Sequence, residues 1–183
     1  MKLRRLRDYS LLKDFHCGVQ QMDEFIQQKL QYSIEAHFCV PYIVIDDDDI
    51  VAFFALSYDS LAMPSAYFDD FLNGFSSSGT PNIPFDYHDT FEHKEHYPAI
   101  DVAYFAVSEQ YQRKHIGSEI LEDIIQFVKD HALAGCQFIV VDALVTTDYS
   151  AVSFYAKNKF TVCEDKKPYK DCVRMYRVLY PKL

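Results

Sequence analysis

The chain has 183 residues, 49% of them hydrophobic, and a formal net charge of −9, a size that suits one well-packed α/β domain and not two. No apolar run is long enough for a membrane helix, and the basic opening MKLRRLRDYSLLKDF leads into neither an apolar block nor a cleavage site, so the expectation is a soluble, cytoplasmic protein. The five cysteines, Cys17, Cys39, Cys136, Cys163 and Cys172, are scattered without a Cys-x-x-Cys pair, which fits buried thiols in a reducing compartment and argues against a zinc or disulfide framework.

The charge is uneven. Residues 46–95 carry eleven acidic side chains against Lys94 alone, whereas residues 157–182 hold eight lysines and arginines. The overall field disfavours nucleic acid, although the basic RRLR near the N-terminus and the C-terminal cluster leave room for a local basic face.

In chain order, MKLRRLR reads as a strand. Residues 19–37 place Met22, Phe25, Ile26, Leu30 and Ile34 at helical spacing, which predicts one amphipathic helix. PYIVIDDDDIVAFFALSYDSL reads as a β-hairpin whose tight turn is Asp46 to Asp49. Four consecutive aspartates on a turn cannot converge as the spaced oxygen ligands of a calcium loop do. Residues 60–97 are the least regular stretch, with GFSSSGTPNIP at the centre, and a connection of that length inside a compact domain is usually functional or mobile. His88, His93 and His96 within it match no metal-ligand spacing, so no metal is expected.

From Pro98 onward the pattern becomes regular: strand 99–107, helix 116–132, strand 136–145, helix 148–158, and strands 159–164 and 172–180. A βαβ order of this kind predicts neighbouring parallel strands joined by a right-handed crossover. Between the first strand and the first helix of that unit stands YQRKHIGS, residues 111–118. Exposed N–H groups and the dipole of a helix start favour a phosphate there, and a glycine lets the ligand approach the backbone. The stretch is neither a Walker motif nor a dinucleotide fingerprint, because Gly117 is its only glycine.

The segment from Gln112 to Gly117, preceded by Phe105-Ala106-Val107, resembles the Q/R-x-x-G-x-G/A motif of the GNAT superfamily of N-acetyltransferases. Downstream, the run from Asp148 through Phe154-Tyr155 to Phe160 resembles the family pattern N-x-x-A-x-x-F-Y-x-x-x-G-F. The resemblance implies an α/β (α+β) acyl-CoA N-acyltransferase fold, a mixed central sheet flanked by helices, with residues 1–183 as one domain carrying an insertion at 60–97. It implies acetyl-CoA as co-substrate, held by Phe105, Ala106, Val107, Gln112, Arg113, Lys114, His115, Ile116, Gly117, Ser118 and Asp148, and Tyr155 as the acid that protonates the departing thiolate. Three positions depart from the pattern: His115 and Lys159 stand at glycines and Asp148 at the asparagine. A positive φ at His115 would cost on the order of 1 kcal/mol.

The implied reaction is direct attack of a small-molecule or peptide amine on the thioester. Asp101, Glu109, His96 and Tyr104 all remain open as the general base, as does a water chain. FHCGVQQMDEFIQQKL also resembles the opening F-x-C/S-G-x-x-x-L-D-x-F/W-L of a subgroup that includes toxins acetylating aminoacyl-tRNA, so tRNA stays an alternative acceptor and an acetyl-CoA sensor a third reading. A homodimer is also left open. The acidic insertion is expected to border the acceptor side, where Asp69, Asp70, Asp86 and Asp89 would attract a cationic amine.

Overall fold

The computed structural model describes residues 1–62, 96–131, 133–163 and 171–180. The strands are β1 (Lys2–Arg5), β2 (Val40–Asp46), β3 (Asp49–Ala62), β4 (His96–Val107), β5 (Phe138–Leu144), β6 (Thr161–Val162) and β7 (Cys172–Val178). They form one seven-stranded sheet in the order β1-β2-β3-β4-β5-β7-β6. Only β4 and β5 run parallel, joined by the long helix of the predicted βαβ unit. Four α-helices are described: α1 (Gln20–Gln28), α2 (Leu30–Glu35), α3 (Ile116–Asp130) and α4 (Val152–Lys157).

Each face of the sheet carries its own core. α3 buries Ile120, Leu121, Ile124, Ile125 and Val128, and this stripe packs on Ile139, Val141, Ala143 and Met175 of the sheet. The opposite face is covered at one end by Ile26, Leu30, Leu12 and Phe15 against Ile43, Phe53 and Ala55. A smaller cluster of Leu61, Tyr97, Ala99, Phe138 and Val140 continues along the sheet.

Four boundaries differ from the sequence reading. The single helix expected over 19–37 is two, because Lys29 leaves the helical well at φ −120°, ψ −23°. Hydrogen bonds persist on either side, Lys29 N to Phe25 O at 2.9 Å and Ser33 N to Lys29 O at 3.2 Å, and the kink lets Ile26 and Leu30 enter one core. The helix expected from Asp148 starts only at Val152. Residues 146–150 instead close a turn in which Thr146 N donates to Tyr149 O at 2.7 Å and Val145 bridges Ser150. The strand expected over 159–164 shrinks to Thr161–Val162, since Lys159 serves the end of α4. Finally, the irregular stretch is shorter than 60–97: Ser60, Leu61 and Ala62 pair with Pro98, Tyr97 and His96, so β3 and β4 extend to its edges. The expected role of the acidic insertion falls on residues 63–95, outside the described residues.

Candidate active site

The site grows from one irregularity in the sheet. β4 and β5 pair only where Ala99, Ile100 and Asp101 meet Phe138, Ile139 and Val140. Beyond Asp101, β4 runs on along β3 while β5 runs on along β7, so the two parallel strands part. A bulge begins the divergence: Ala55 lies opposite Tyr104 and Leu56 opposite Val102, which leaves Ala103 unpaired. Bulges bend a strand and re-aim its side chains. Val102, Phe105 and Val107 thereby join the α3 core, and Tyr104 and Ala106 the α1 core.

Two cavities meet at the opening. One, about 470 Å³, is lined by Val107, Arg113, His115, Gly117, Ser118 and Tyr155 among others. The second, about 680 Å³, lies on the α1 side and includes Phe25, Lys29, Asp59, Asp101 and Arg174. Met22, Ala103, Tyr104, Asp142 and Leu144 line both.

The loop that closes the first cavity has the backbone of an anion cradle. Arg113 and His115 adopt φ of 59° and 63°, and His115 caps α3 in the left-handed conformation. His115 thus stands, at the position of the motif's first glycine, in the left-handed conformation that glycine adopts without strain. Left-handed turns set successive N–H groups into a concavity that suits anions, and at the start of α3 the N–H groups of Ile116 and Gly117 have no acceptor among the described residues, whereas Ser118 N donates to His115 O at 3.0 Å. A Cβ at Gly117 would stand 3.4 Å from Phe154 Cε2 and 3.5 Å from Val107 Cγ2, in ordinary contact with the cavity wall.

The sequence-derived residues separate into two groups. Phe105, Ala106, Val107, Gln112, Arg113, His115, Gly117, Ser118 and Tyr155 line the smaller cavity. Lys114, Ile116 and Asp148 do not: Lys114 Nζ donates to Gln110 O at 3.0 Å, Ile116 packs on the core, and Asp148 is exposed on the turn before α4. Gln112 acts as a bracket. Its Nε2 donates to Cys17 O at 2.7 Å and Val107 O at 2.9 Å, while Asp23 accepts from Cys17 N at 2.7 Å and Gly18 N at 3.2 Å. The FHCG segment is thus stitched to the loop, which brings Cys17, Val19 and Met22 to the cavity wall. Those three were absent from the expected contacts, although the N-terminal motif marked their segment. Burial pushes the Cys17 thiol up to about 12, so it is an inert wall group.

Tyr155 is 7% exposed and packed edge-on between Phe154 and Phe160 at centroid distances of 5.1 and 5.4 Å. Among the described residues no hydrogen-bond partner holds its hydroxyl. Burial, reinforced by Tyr149 and Asp101, raises its pKa well above the ordinary tyrosine value. Of the four base candidates, Asp101 and Tyr104 line the larger cavity and His96 and Glu109 line neither. Asp59, Asp142 and Arg174 were not singled out from the sequence. For Asp142 the signal was a lone charge in the apolar run IVVDALV, and for Arg174 an arginine, with Arg177, in the otherwise uncharged run CVRMYRVLY. Among the described residues no three His, Cys, Asp or Glu side chains converge as a metal site.

The parted parallel strands, the loop at the start of α3 and the buried tyrosine of α4 meet at one opening. The chain belongs to the GNAT acetyltransferase family, whose model matches residues 7–160, and it is an acyltransferase that uses acetyl-CoA. A comparison with curated proteins finds no match. Among solved structures the chain is similar to a bacterial toxin, at 17% identity and a TM-score of 0.67 over 97% of this chain and 91% of that one. It is similar to a Tyr-to-Phe variant of the AtaT toxin bound to the C-terminus of the antitoxin AtaR and acetyl-CoA, at 13% identity and a TM-score of 0.67 over 97% and 92%. It is also similar to AtaT complexed with acetyl-methionyl-tRNAfMet, at 17% identity and 0.65 over 97% and 94%. No helix among the described residues is long and apolar enough to cross a membrane.

Proposed function

We propose that the protein transfers the acetyl group of acetyl-CoA to a primary amine by direct attack, with both substrates bound at once. The supporting observation is the meeting of two cavities at the β4/β5 opening, with the anion cradle on one and a carboxylate-rich wall on the other. The pyrophosphate lies against the loop 112–118, and the thioester reaches the opening. The amine nitrogen bonds to the carbonyl carbon. Charge developing on the carbonyl oxygen is met by an N–H from the edge of β4 that β5 leaves unpaired beyond Asp101. The carbon–sulfur bond then breaks, and Tyr155 donates its hydroxyl proton toward the thiolate. Its raised pKa keeps that proton in place until the thiolate forms, and the amine's second proton restores it. The free state of all five cysteines supports a cytoplasmic location.

Aminoacyl-tRNA is the second acceptor reading. It is supported by the toxin-like FHCG segment and by Lys2, Arg4, Arg5 and Arg7, all exposed at the sheet edge and just beyond it. Release of free thiol from acetyl-CoA, followed with polyamines, amino-acid amides, peptides and charged tRNA, tests both. Turnover with at least one amine is expected. Calorimetric binding of acetyl-CoA without thiol release from any acceptor would overturn transfer in favour of a sensor.

A further inference from the structure

The face of the sheet opposite α3 carries a charge cluster built from four strands. Ser57 and Asp59 come from β3, Asp101 from β4, Asp142 from β5 and Arg174 from β7, and the pairings Ser57 with Asp101 and Asp142 with Arg174 set them side by side. Arg174 is the only cation within the cluster. Its Nη2 donates to Asp59, and its Nη1 donates to Asp142 Oδ2 at 3.2 Å and lies 4.0 Å from Asp101 Oδ1. Ser57 Oγ donates to Asp101 Oδ2 at 3.3 Å.

Two oxygens are left over. Asp101 Oδ1 and Asp142 Oδ1 are buried, and among the described residues no donor reaches either. A buried acceptor without a donor is costly, and its retention at a cavity calls for an explanation. Both residues line the larger cavity, and Asp142 lines the smaller one as well. One guanidinium against three carboxylates leaves the wall short of positive charge where the two substrates would meet.

We propose that these two carboxylates seat the acceptor as an ammonium ion, Asp142 binding it between the cavities and Asp101 taking its proton, with Arg174 fixing the cluster. The assignment rests on the acetyl-transfer reading. An ammonium N–H breaks, its proton forms an O–H on Asp101, and the freed lone pair attacks the thioester carbon. The second amine proton passes by way of Tyr155 to the sulfur as the carbon–sulfur bond breaks. Asp101 afterwards releases its proton to solvent.

The electrostatics agree with this division. Burial pushes Asp101 up to about 7, opposed by Arg174 and assisted by Asp142 and Asp59. Asp142 is raised by burial too, with Arg174 opposing through charge and hydrogen bond. The other groups facing Asp101 are Ser57 of β3, Cys39 ahead of β2, and Tyr155 of α4 across the opening. Lys29, at the break between α1 and α2, lines the same cavity and forms no ion pair with the three aspartates among the described residues.

The test uses the full chain, acetyl-CoA and two probes, Nα-acetyl-lysine amide and glycine amide. With the lysine probe, wild-type kcat/KM should rise with pH and level off near 7. Asp101→Asn should lose about 100-fold. Its profile should instead climb toward the probe's own pKa of about 10.4, because only the neutral amine then reacts. The loss should be smaller for glycine amide, whose weaker ammonium is partly neutral at working pH. Asp142→Asn should raise KM for the lysine probe about tenfold and keep a limb that is shifted to lower pH, because the Asp142 charge helps to raise Asp101. Acetyl-CoA calorimetry reports folding of each variant. If Asp101→Asn fails to bind acetyl-CoA, Asp101→Glu decides: a displaced limb supports the role and an unmoved one overturns it. A folded Asp101→Asn with the wild-type limb and rate overturns the assignment alone. A wild type that binds acetyl-CoA and acetylates neither probe nor any other amine overturns acetyl transfer and the assignment together.

Discussion

Tyr155 combines a buried ring with a hydroxyl that has no hydrogen-bond partner among the described residues. The ring packs against Phe154 and Phe160, and these contacts survive its conversion to phenylalanine. Tyr155→Phe should therefore lower kcat by roughly 10²- to 10³-fold while leaving the acetyl-CoA dissociation constant within about twofold. Steady-state kinetics and calorimetry on the same preparation separate the two, and parallel losses in rate and affinity would mark a packing residue. At this scale the motifs were informative where the backbone alone makes the site. His115 and Lys159 stand where the family has glycines, yet both take positive φ, 63° and 66°. Asp148 was not legible, because the turn at 146–150 satisfies its own hydrogen bonds and presents Tyr149 and Ser150 to the cavity instead. The charge cluster was equally hidden: its members are dispersed from residue 57 to residue 174 and meet only through strand register.

Among the elements, α4 shows how a short helix holds a functional ring. Its end is a Schellman motif: Phe160 N donates to Tyr155 O at 3.0 Å and Lys159 N to Ala156 O at 3.1 Å. The apolar contact that accompanies such a motif is here the Tyr155–Phe160 ring pair, so the turn that ends the helix also orients the proposed proton donor. Lys159 fills the left-handed position that glycine occupies without strain. Lys159→Gly should stabilise the protein by roughly 1 kcal/mol, which corresponds to a rise in Tm of about 2–4 °C for a chain of this size. Thermal unfolding checks this, and a lower Tm would mean that the lysine makes a compensating contact. α3 and its strands were legible because apolar periodicity and a glycine-bearing start coincide. The break at Lys29 and the bulge at Ala103 were not, since each is set by what packs or pairs on the far side of the element.

On the scale of the whole molecule, the carboxylate wall makes stability depend on pH. Asp101 titrates near 7 when folded against an ordinary value of 3.8. The folded state therefore binds its proton more tightly than the unfolded chain does. The resulting stabilisation is complete below about pH 4 and is lost as pH rises through 7. Asp101→Asn removes the dependence, so the stability of the variant relative to wild type should increase between pH 5 and 8, by at most about 2.6 kcal/mol. Urea unfolding at the two pH values measures the difference, and a gap independent of pH would show that Asp101 carries no buried charge. The same wall that favours an ammonium ligand therefore taxes the empty fold above neutrality.

The seam between β4 and β5 has a mechanical meaning as well. Among the described residues, three ladder pairs join the half-sheet of β1 to β4 to the half-sheet of β5 to β7, with Gln137 N donating to Pro98 O at 3.4 Å beside them and Arg174 reaching Asp59 across the gap. At about 3.3 Å per residue, the six residues beyond Asp101 carry the free end of β4 about 20 Å from that seam. A tilt of about 5° between the halves therefore moves the far end by about 2 Å, on the scale of a hydrogen bond made or lost. The sheet is in effect a pair of jaws on a narrow hinge, and a ligand spanning both jaws would act as a splint, slowing amide exchange in β4 and β5 together.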